Sequence, residues 1–335
     1  MAGADLPFTM MLPQLLISIC LFPLTAWAAS RLDRWRLGKH AWSATALEQF
    51  SRCPYRFLLA GIHRLQPMEE PEPLERLDAL SRGRLYHRSL FRLFRGGEDG
   101  LLERLDDVLI ALAVEAAAEQ APLVQGIWNA GIEKLRADLR GWLVNRDPEW
   151  TAAHAELAFG LDSHDADNQE HDPASRKEPV SIEGSYLLKG SIDLVERRSD
   201  GRLRVLDHKT GHAPVPARQP RTVGNGEVLQ PLLYALAVEA LLGQAPMLSR
   251  LSYSTLRGGY KAIDIPSGPR ERAAILQVLA AIDQSIGRAF LPAAPRRDAC
   301  KGCEYVPVCG PYEELRATQK SQPELRDLAA IRKLR

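Results

Sequence analysis

Hydrophobic positions recur with a helical period along much of the chain and alternate with polar ones elsewhere. Residues 41–66 predict a helix with Ser43 or Thr45 at its N-cap and a break at Cys53-Pro54. Residues 78–95 set Leu80, Leu85, Leu90, Leu93 and Phe94 in an amphipathic pattern that also carries His87. The Leu/Ala-rich residues 101–145 predict two or three more helices, and residues 227–243 and 268–290 one each. Pro231 falls in the first turn of the former, where its missing N–H costs nothing. Alternation marks strands at 155–161 and 248–256. The strongest strand pair is residues 186–198 and 202–211, joined through Ser199-Asp200-Gly201, which reads as a β-hairpin because Asp-Gly favours the turn. Residues 69–75, rich in Pro and Glu, and the polar residues 162–178 read as loops.

The segment from Leu6 to Ser30 carries no charge and is long enough to span a bilayer. Ala26-Trp27-Ala28 would suit a signal peptidase, yet the preceding residues include Asp5 and no Lys or Arg. Pro13 and Pro23 interrupt a clean spanning helix. An anchor, a signal, a buried helix, a remnant of a longer chain and a misassigned start all remain open. Arg31, Arg34, Arg36 and Lys39 follow directly, so an anchor would leave the rest of the chain in the cytoplasm, which is the expected location.

With 45% hydrophobic and 25% charged residues, the chain is globular, and bulk disorder is excluded. Lys+Arg 43 against Asp+Glu 42 gives a net charge of +1, which removes a basic domain but leaves room for a local basic groove. No G-x-x-x-x-G-K-[ST] occurs, so no ATPase motor is evident. Five cysteines are too few, and odd in number, for a disulfide framework. Cys300, Cys303 and Cys309 cluster with a spacing that suits Zn²⁺ or an iron–sulfur centre, and they lack a fourth local ligand. Cys53 is the natural candidate for it, whereas Cys20 lies in the apolar run.

The hairpin carries the candidate chemistry. With a three-residue loop, Arg198 faces Arg202 and Asp193 stands opposite Asp207; a two-residue loop would offset the pair by one. Opposed carboxylates repel unless a divalent cation lies between them. Lys209, two residues beyond Asp207, shares its face, and His208 points to the other. Ile192, Leu194, Val205 and Leu206 surround the acids, so these carboxylates belong to apolar strands and not to a solvated edge. Two carboxylates and a lysine are what metal-dependent phosphodiester cleavage needs.

Gly190-Ser-Ile-Asp193 followed by Val205-Leu-Asp207-His-Lys209-Thr-Gly211 resembles the core of the PD-(D/E)XK nucleases, most closely the RecB/AddB-type nuclease domain. Arg82-Gly-Arg-Leu-Tyr-His87 resembles that branch's upstream histidine helix, Glu156-Leu-Ala-Phe159 its Glu-bearing strand, and Gln230-Pro-Leu-Leu-Tyr234 its Gln-x-x-x-Tyr helix. His208 departs from the pattern, where a Tyr or another bulky residue is more usual. The resemblance implies an α/β, restriction-endonuclease-like fold, with a small mixed sheet centred on the hairpin, flanking helices and a helical insertion at about 100–150. It divides the chain into an apolar segment (1–40), the nuclease domain (41–320) and a tail (321–335).

The same resemblance implies a Mg²⁺-dependent deoxyribonuclease of recombinational repair, with exonuclease action expected. His87, Asp193 and Asp207 would hold Mg²⁺ or Mn²⁺, Lys209 would position water, and Glu156, Gln230 and Tyr234 would assist. Cys53 would join Cys300, Cys303 and Cys309 around a 4Fe–4S cluster, with zinc as the alternative. Arg202, Arg204, Arg218 and Arg221 are candidate phosphate contacts. DNA, single-stranded or at duplex ends, is the expected partner, with a separate helicase subunit as a second. Two other classes stand beside this reading. One is a cluster-stapled DNA-binding module without catalysis, against which Asp193, Asp207 and Lys209 argue. The other is a membrane-anchored redox protein, against which the lack of any flavin or nicotinamide fingerprint counts.

Overall fold

A computed structural model describes residues 27–66, 77–120, 122–161, 171–214, 221–255 and 259–335. Most of the apolar run with Cys20, the Pro/Glu-rich loop and Arg218 lie outside the described residues.

Ser43 caps α1 (Ala44–Arg52), its hydroxyl accepting from the Ala46 N–H. The helix stops where expected: Cys53 is extended, and Pro54 opens a separate turn, Pro54–Phe57. Asp78 caps α2 (Ala79–Arg95) by accepting from the Leu80 and Ser81 N–H groups. The Leu/Ala-rich region forms two helices, α3 (Leu101–Gln120) and α4 (Gln125–Val144).

The chain then lays down β1 (Trp150–Phe159), β2 (Val180–Ile182), β3 (Tyr186–Leu188), β4 (Gly190–Arg198) and β5 (Leu203–Lys209). Helix α5 (Gln230–Leu242) leads to β6 (Leu248–Thr255), β7 (Gly259–Pro266) and α6 (Pro269–Gly287). Five strands form one mixed sheet in the order β1-β4-β5-β6-β7, so the hairpin is central. Strands β5 and β6 are parallel and bridged by α5, as a parallel pair requires; the other neighbours are antiparallel.

Some sequence expectations need correction. The run 186–198 is two strands, because Leu187 and Lys189 donate to the carbonyls of Leu37 and Trp42 and so leave the main sheet. Strand β1 starts at Trp150, ahead of the alternating stretch. Strands β2 and β7 had no clear signature; in β7 only Ile263 and Ile265 are buried.

The sheet buries two faces. One packs Val195, Val205 and Leu251 against α1, α5 and α6, through Leu47, Phe50, Leu233, Val238, Val278 and Ile282. The other packs Leu194, Leu206 and Ala155 against α2, α3 and α4, through Tyr86, Leu105, Leu135 and Trp142. The helical insertion is thus the second layer of the core, burying a sheet face that would otherwise lie open. Across this layer Glu196 and Arg204 pair while almost wholly buried, and Arg146 of the α4–β1 connection joins them through Glu196 and Glu98.

Candidate active site

The hairpin register is the one a three-residue loop requires: Leu194 pairs with Leu206 and Val195 with Val205. Asp193 and Asp207 come next, where the ladder ends and the Asp193 side chain accepts from the His208 N–H at 2.6 Å. On the other side, Ala155 pairs with Leu194 and Leu157 with Ile192, which brings Glu156 to the level of Asp193. Glu156 has φ +51°, unusual for a non-glycine strand residue and worth about 1–3 kcal/mol of strain. Such strain concentrates where a side chain must be aimed, and Ser191 Oγ donates to Glu156 Oε2 at 2.9 Å.

Helix α2 brings His87 over these acids. Its Nδ1 lies 3.4 Å from Glu156 Oε1 and 3.5 Å from Asp193 Oδ1. The helix is held to the sheet by the Tyr86 hydroxyl, 2.6 Å from Ser254 Oγ. Arg82 adds a second tie, donating to the Thr210 carbonyl at 2.7 Å and to the fully buried Asp138 of α4.

Lys209 Nζ lies 2.6 Å from Asp207 Oδ2 and donates to Gln230 Oε1 at 3.0 Å. Tyr234, one helical turn beyond Gln230, is buried against β4, where a Cβ on Gly190 would come within 3.1 Å of its hydroxyl. His87, Glu156, Asp193, Asp207, Lys209, Gln230 and Tyr234 therefore come together at one end of the β1-β4-β5 part of the sheet. His208 points to the opposite face, as the pleat requires, with its ring centroid 4.7 Å from that of Trp142.

The electrostatics are those of a crowded acidic centre. Burial raises the Asp193 carboxyl to about 7; the His87 charge opposes the rise, while Asp207 and Glu156 add to it. Burial alone would lower His87, but Asp193 and Glu156 together hold it up at about 9. Burial also lifts the Tyr234 phenol well above its ordinary value, reinforced by Asp193 and Asp207. One nitrogen of His87 and one oxygen each of Glu156 and Asp193 lie within 4.8 Å of one another, close enough to share a metal ion. Asp207 Oδ1 is buried with no hydrogen-bond donor among the described residues, while Oδ2 lies beside the Lys209 ammonium. Carboxylate oxygens, an imidazole and the buried Asp207 Oδ1 fit a hard divalent cation.

Two of the candidate phosphate contacts do not reach this centre. Arg204 is 3% exposed and held by Glu196, because it faces the second core layer. Arg202 pairs with Asp200 at the hairpin turn, the far end of β5 from Asp207. Two residues escaped the sequence reading. Ser191 shares its strand face with Asp193, which spacing could have flagged. Glu48 of α1 accepts from the N–H groups of Leu229 and Gln230 across a separation of about 180 residues, a contact that no local pattern announces.

A second cluster lies at the C-terminal end of α1. Cys53, Cys300, Cys303 and Cys309 line one cavity of about 160 Å³, together with Arg52, Arg56, Tyr305 and Glu313. All four are free thiols. The loop that carries the trio docks onto the N-terminal segment. Tyr305 donates to the Leu65 carbonyl at 2.7 Å, Arg56 to Glu304 at 3.0 Å, and the Arg296 N–H to the Arg52 carbonyl at 2.9 Å. Burial and nearby Glu314 push the Cys300 thiol up to about 11, and burial with Cys53 raises Cys309.

A mixed sheet with carboxylates, a histidine and a lysine gathered at one end is the framework of a metal-dependent nuclease. The sequence model of the PD-(D/E)XK nuclease superfamily matches residues 41–310, and the chain belongs to that superfamily. No curated protein sequence matches it. Among solved structures, one titled "Crystal structure of SSO0001" is similar, with 13% identity, a TM-score of 0.34, and coverage of 86% of this chain and 96% of that one. No helix among the described residues is long and apolar enough to cross a membrane.

Proposed function

We propose that the chain is a Mg²⁺- or Mn²⁺-dependent deoxyribonuclease of the RecB/AddB type, trimming DNA ends in recombinational repair. The observation that carries this reading is the shared reach of His87, Glu156 and Asp193, with the Asp207–Lys209 pair on the adjoining strand. His87, Asp193 and Asp207 are the proposed ligands, with Glu156 close enough to join them. When bound, the cation supplies Lewis-acid polarisation of the scissile phosphate. Lys209, steadied by Asp207 and Gln230, holds its ammonium where it orients water or meets developing negative charge. Tyr234 packs beneath β4 and keeps that end of the strand in place.

The cysteine cavity is the proposed site of a 4Fe–4S cluster, with a single zinc as the alternative. On the scale where one water needs about 10–15 Å³, a cavity of about 160 Å³ has room for a polynuclear group. Four thiols from both ends of the chain supply the ligand set. Such a cluster would fasten the C-terminal loop to α1, so its role is structural. DNA is the proposed substrate, and a separate helicase the proposed partner.

The test is cleavage of end-labelled DNA with and without chelator. Chelator should abolish cutting, and Mg²⁺ or Mn²⁺ should restore it. Lys209→Ala should lose roughly 10²–10³ in turnover while keeping metal and DNA affinity. Full activity in excess chelator, or wild-type turnover from Lys209→Ala, would refute the assignment.

A further inference from the structure

The ammonium of Lys209 is useful only if it is held still, and its partner Gln230 is the first residue of α5. That helix start is poorly provided for locally. Its N-cap is Leu229, which offers no capping side chain, and Pro231, the second residue of the helix, has no N–H. The N–H groups of Leu229 and Gln230 are instead taken up from a distant helix. Glu48 Oε1 accepts from both, at 2.8 and 3.1 Å. A carboxylate here also meets the positive end of the α5 dipole, within electrostatic reach of Lys209 and Asp207. The chain of contacts is therefore Glu48, the first turn of α5, Gln230 Oε1, Lys209 Nζ and Asp207.

We propose that Glu48 is a positioning residue for the nuclease reaction: by capping α5 it sets the Gln230 side chain that steadies Lys209. Its hydrogen bonds among the described residues go to the start of α5 and not to the proposed metal ligands. Its effect passes through the placement of the lysine, so it bears on turnover and not on the binding of metal or DNA. The inference rests on the nuclease reading above.

The experiment compares Glu48→Ala and Glu48→Gln with the wild type in the full chain. Three quantities are measured: kcat and KM on end-labelled DNA, Mn²⁺ affinity, and amide hydrogen exchange at Leu229 and Gln230. Glu48→Ala removes the acceptor. Exchange at the two amides should rise and kcat should fall about 10- to 100-fold, with KM and Mn²⁺ affinity within about twofold of wild type. Glu48→Gln keeps an acceptor oxygen in place and should recover most of both losses. An alanine variant that exchanges faster but turns over like the wild type would reduce Glu48 to a structural cap and overturn the inference alone. A glutamine variant as slow as the alanine variant, with exchange protected, would overturn it too, because charge and not the cap would then matter. A wild-type protein that cleaves no DNA with metal would refute the nuclease reading, and this inference with it.

Discussion

Arg82 and Asp138 offer a test of what the helical insertion does for the active site. Arg82 lies five residues before His87 on α2, Asp138 is fully buried on α4, and the two are ion-paired. The same guanidinium donates to the carbonyl of Thr210, the residue after Lys209. One side chain thus ties the histidine helix, the insertion and the end of β5 together. Arg82→Met removes one partner of the buried Asp138 carboxylate. Breaking a buried pair from one side costs about 3–5 kcal/mol, a large share of the roughly 5–15 kcal/mol that holds a domain folded. Replacing both partners, as Arg82→Met with Asp138→Leu, removes the buried carboxylate together with the cation. It should recover part of that loss, with a cost of about 1–2 kcal/mol remaining at the Thr210 carbonyl, which loses its donor. Urea denaturation at neutral pH, with equal slopes for all variants, reads these differences. The double variant should still bind Mn²⁺ more weakly than the wild type, since α2 then lacks its tie to β5. A single variant that loses less than about 1 kcal/mol would show the pair to be weakly coupled and refute the argument. A double variant with wild-type Mn²⁺ affinity would show that the insertion only covers the sheet.

Other expectations follow from the same geometry. In the metal-free protein the neighbouring carboxylates overcome burial to hold His87 protonated up to about pH 9, and burial keeps Asp193 protonated up to about pH 7. A cation needs both groups deprotonated, so binding near neutral pH should release protons and should weaken as pH falls from 9 towards 6. Calorimetry in buffers of differing ionisation enthalpy counts those protons, and a pH-independent affinity would contradict the assignment of these ligands. Protein purified without oxygen should contain about four irons and four acid-labile sulfides per chain. Cys53→Ala should lose them as completely as Cys303→Ala, whereas one zinc and no colour would replace the cluster with a zinc staple.

Much of the site was legible along the chain because its residues follow local rules. Asp193, Asp207 and Lys209 sit in a hairpin whose Asp200-Gly201 turn sets the register, and the pleat then decides which side chains share a face. His87 and the pair Gln230 and Tyr234 fall on helices whose periodicity and caps are written in short segments. The tertiary structure alone decided how these pieces meet. It placed Glu156 beside His87 through a left-handed strand residue, a conformation that side-chain pattern does not encode. It buried Arg204, which nearness to the motif in sequence offered as a phosphate contact, because β5 is central and both of its faces are covered. It also assigned the insertion to the second face of the sheet and set Glu48 at the start of α5. Local signals act over a few residues of backbone, whereas these contacts join segments far apart in sequence, whose pairing is decided by which apolar faces remain to be buried.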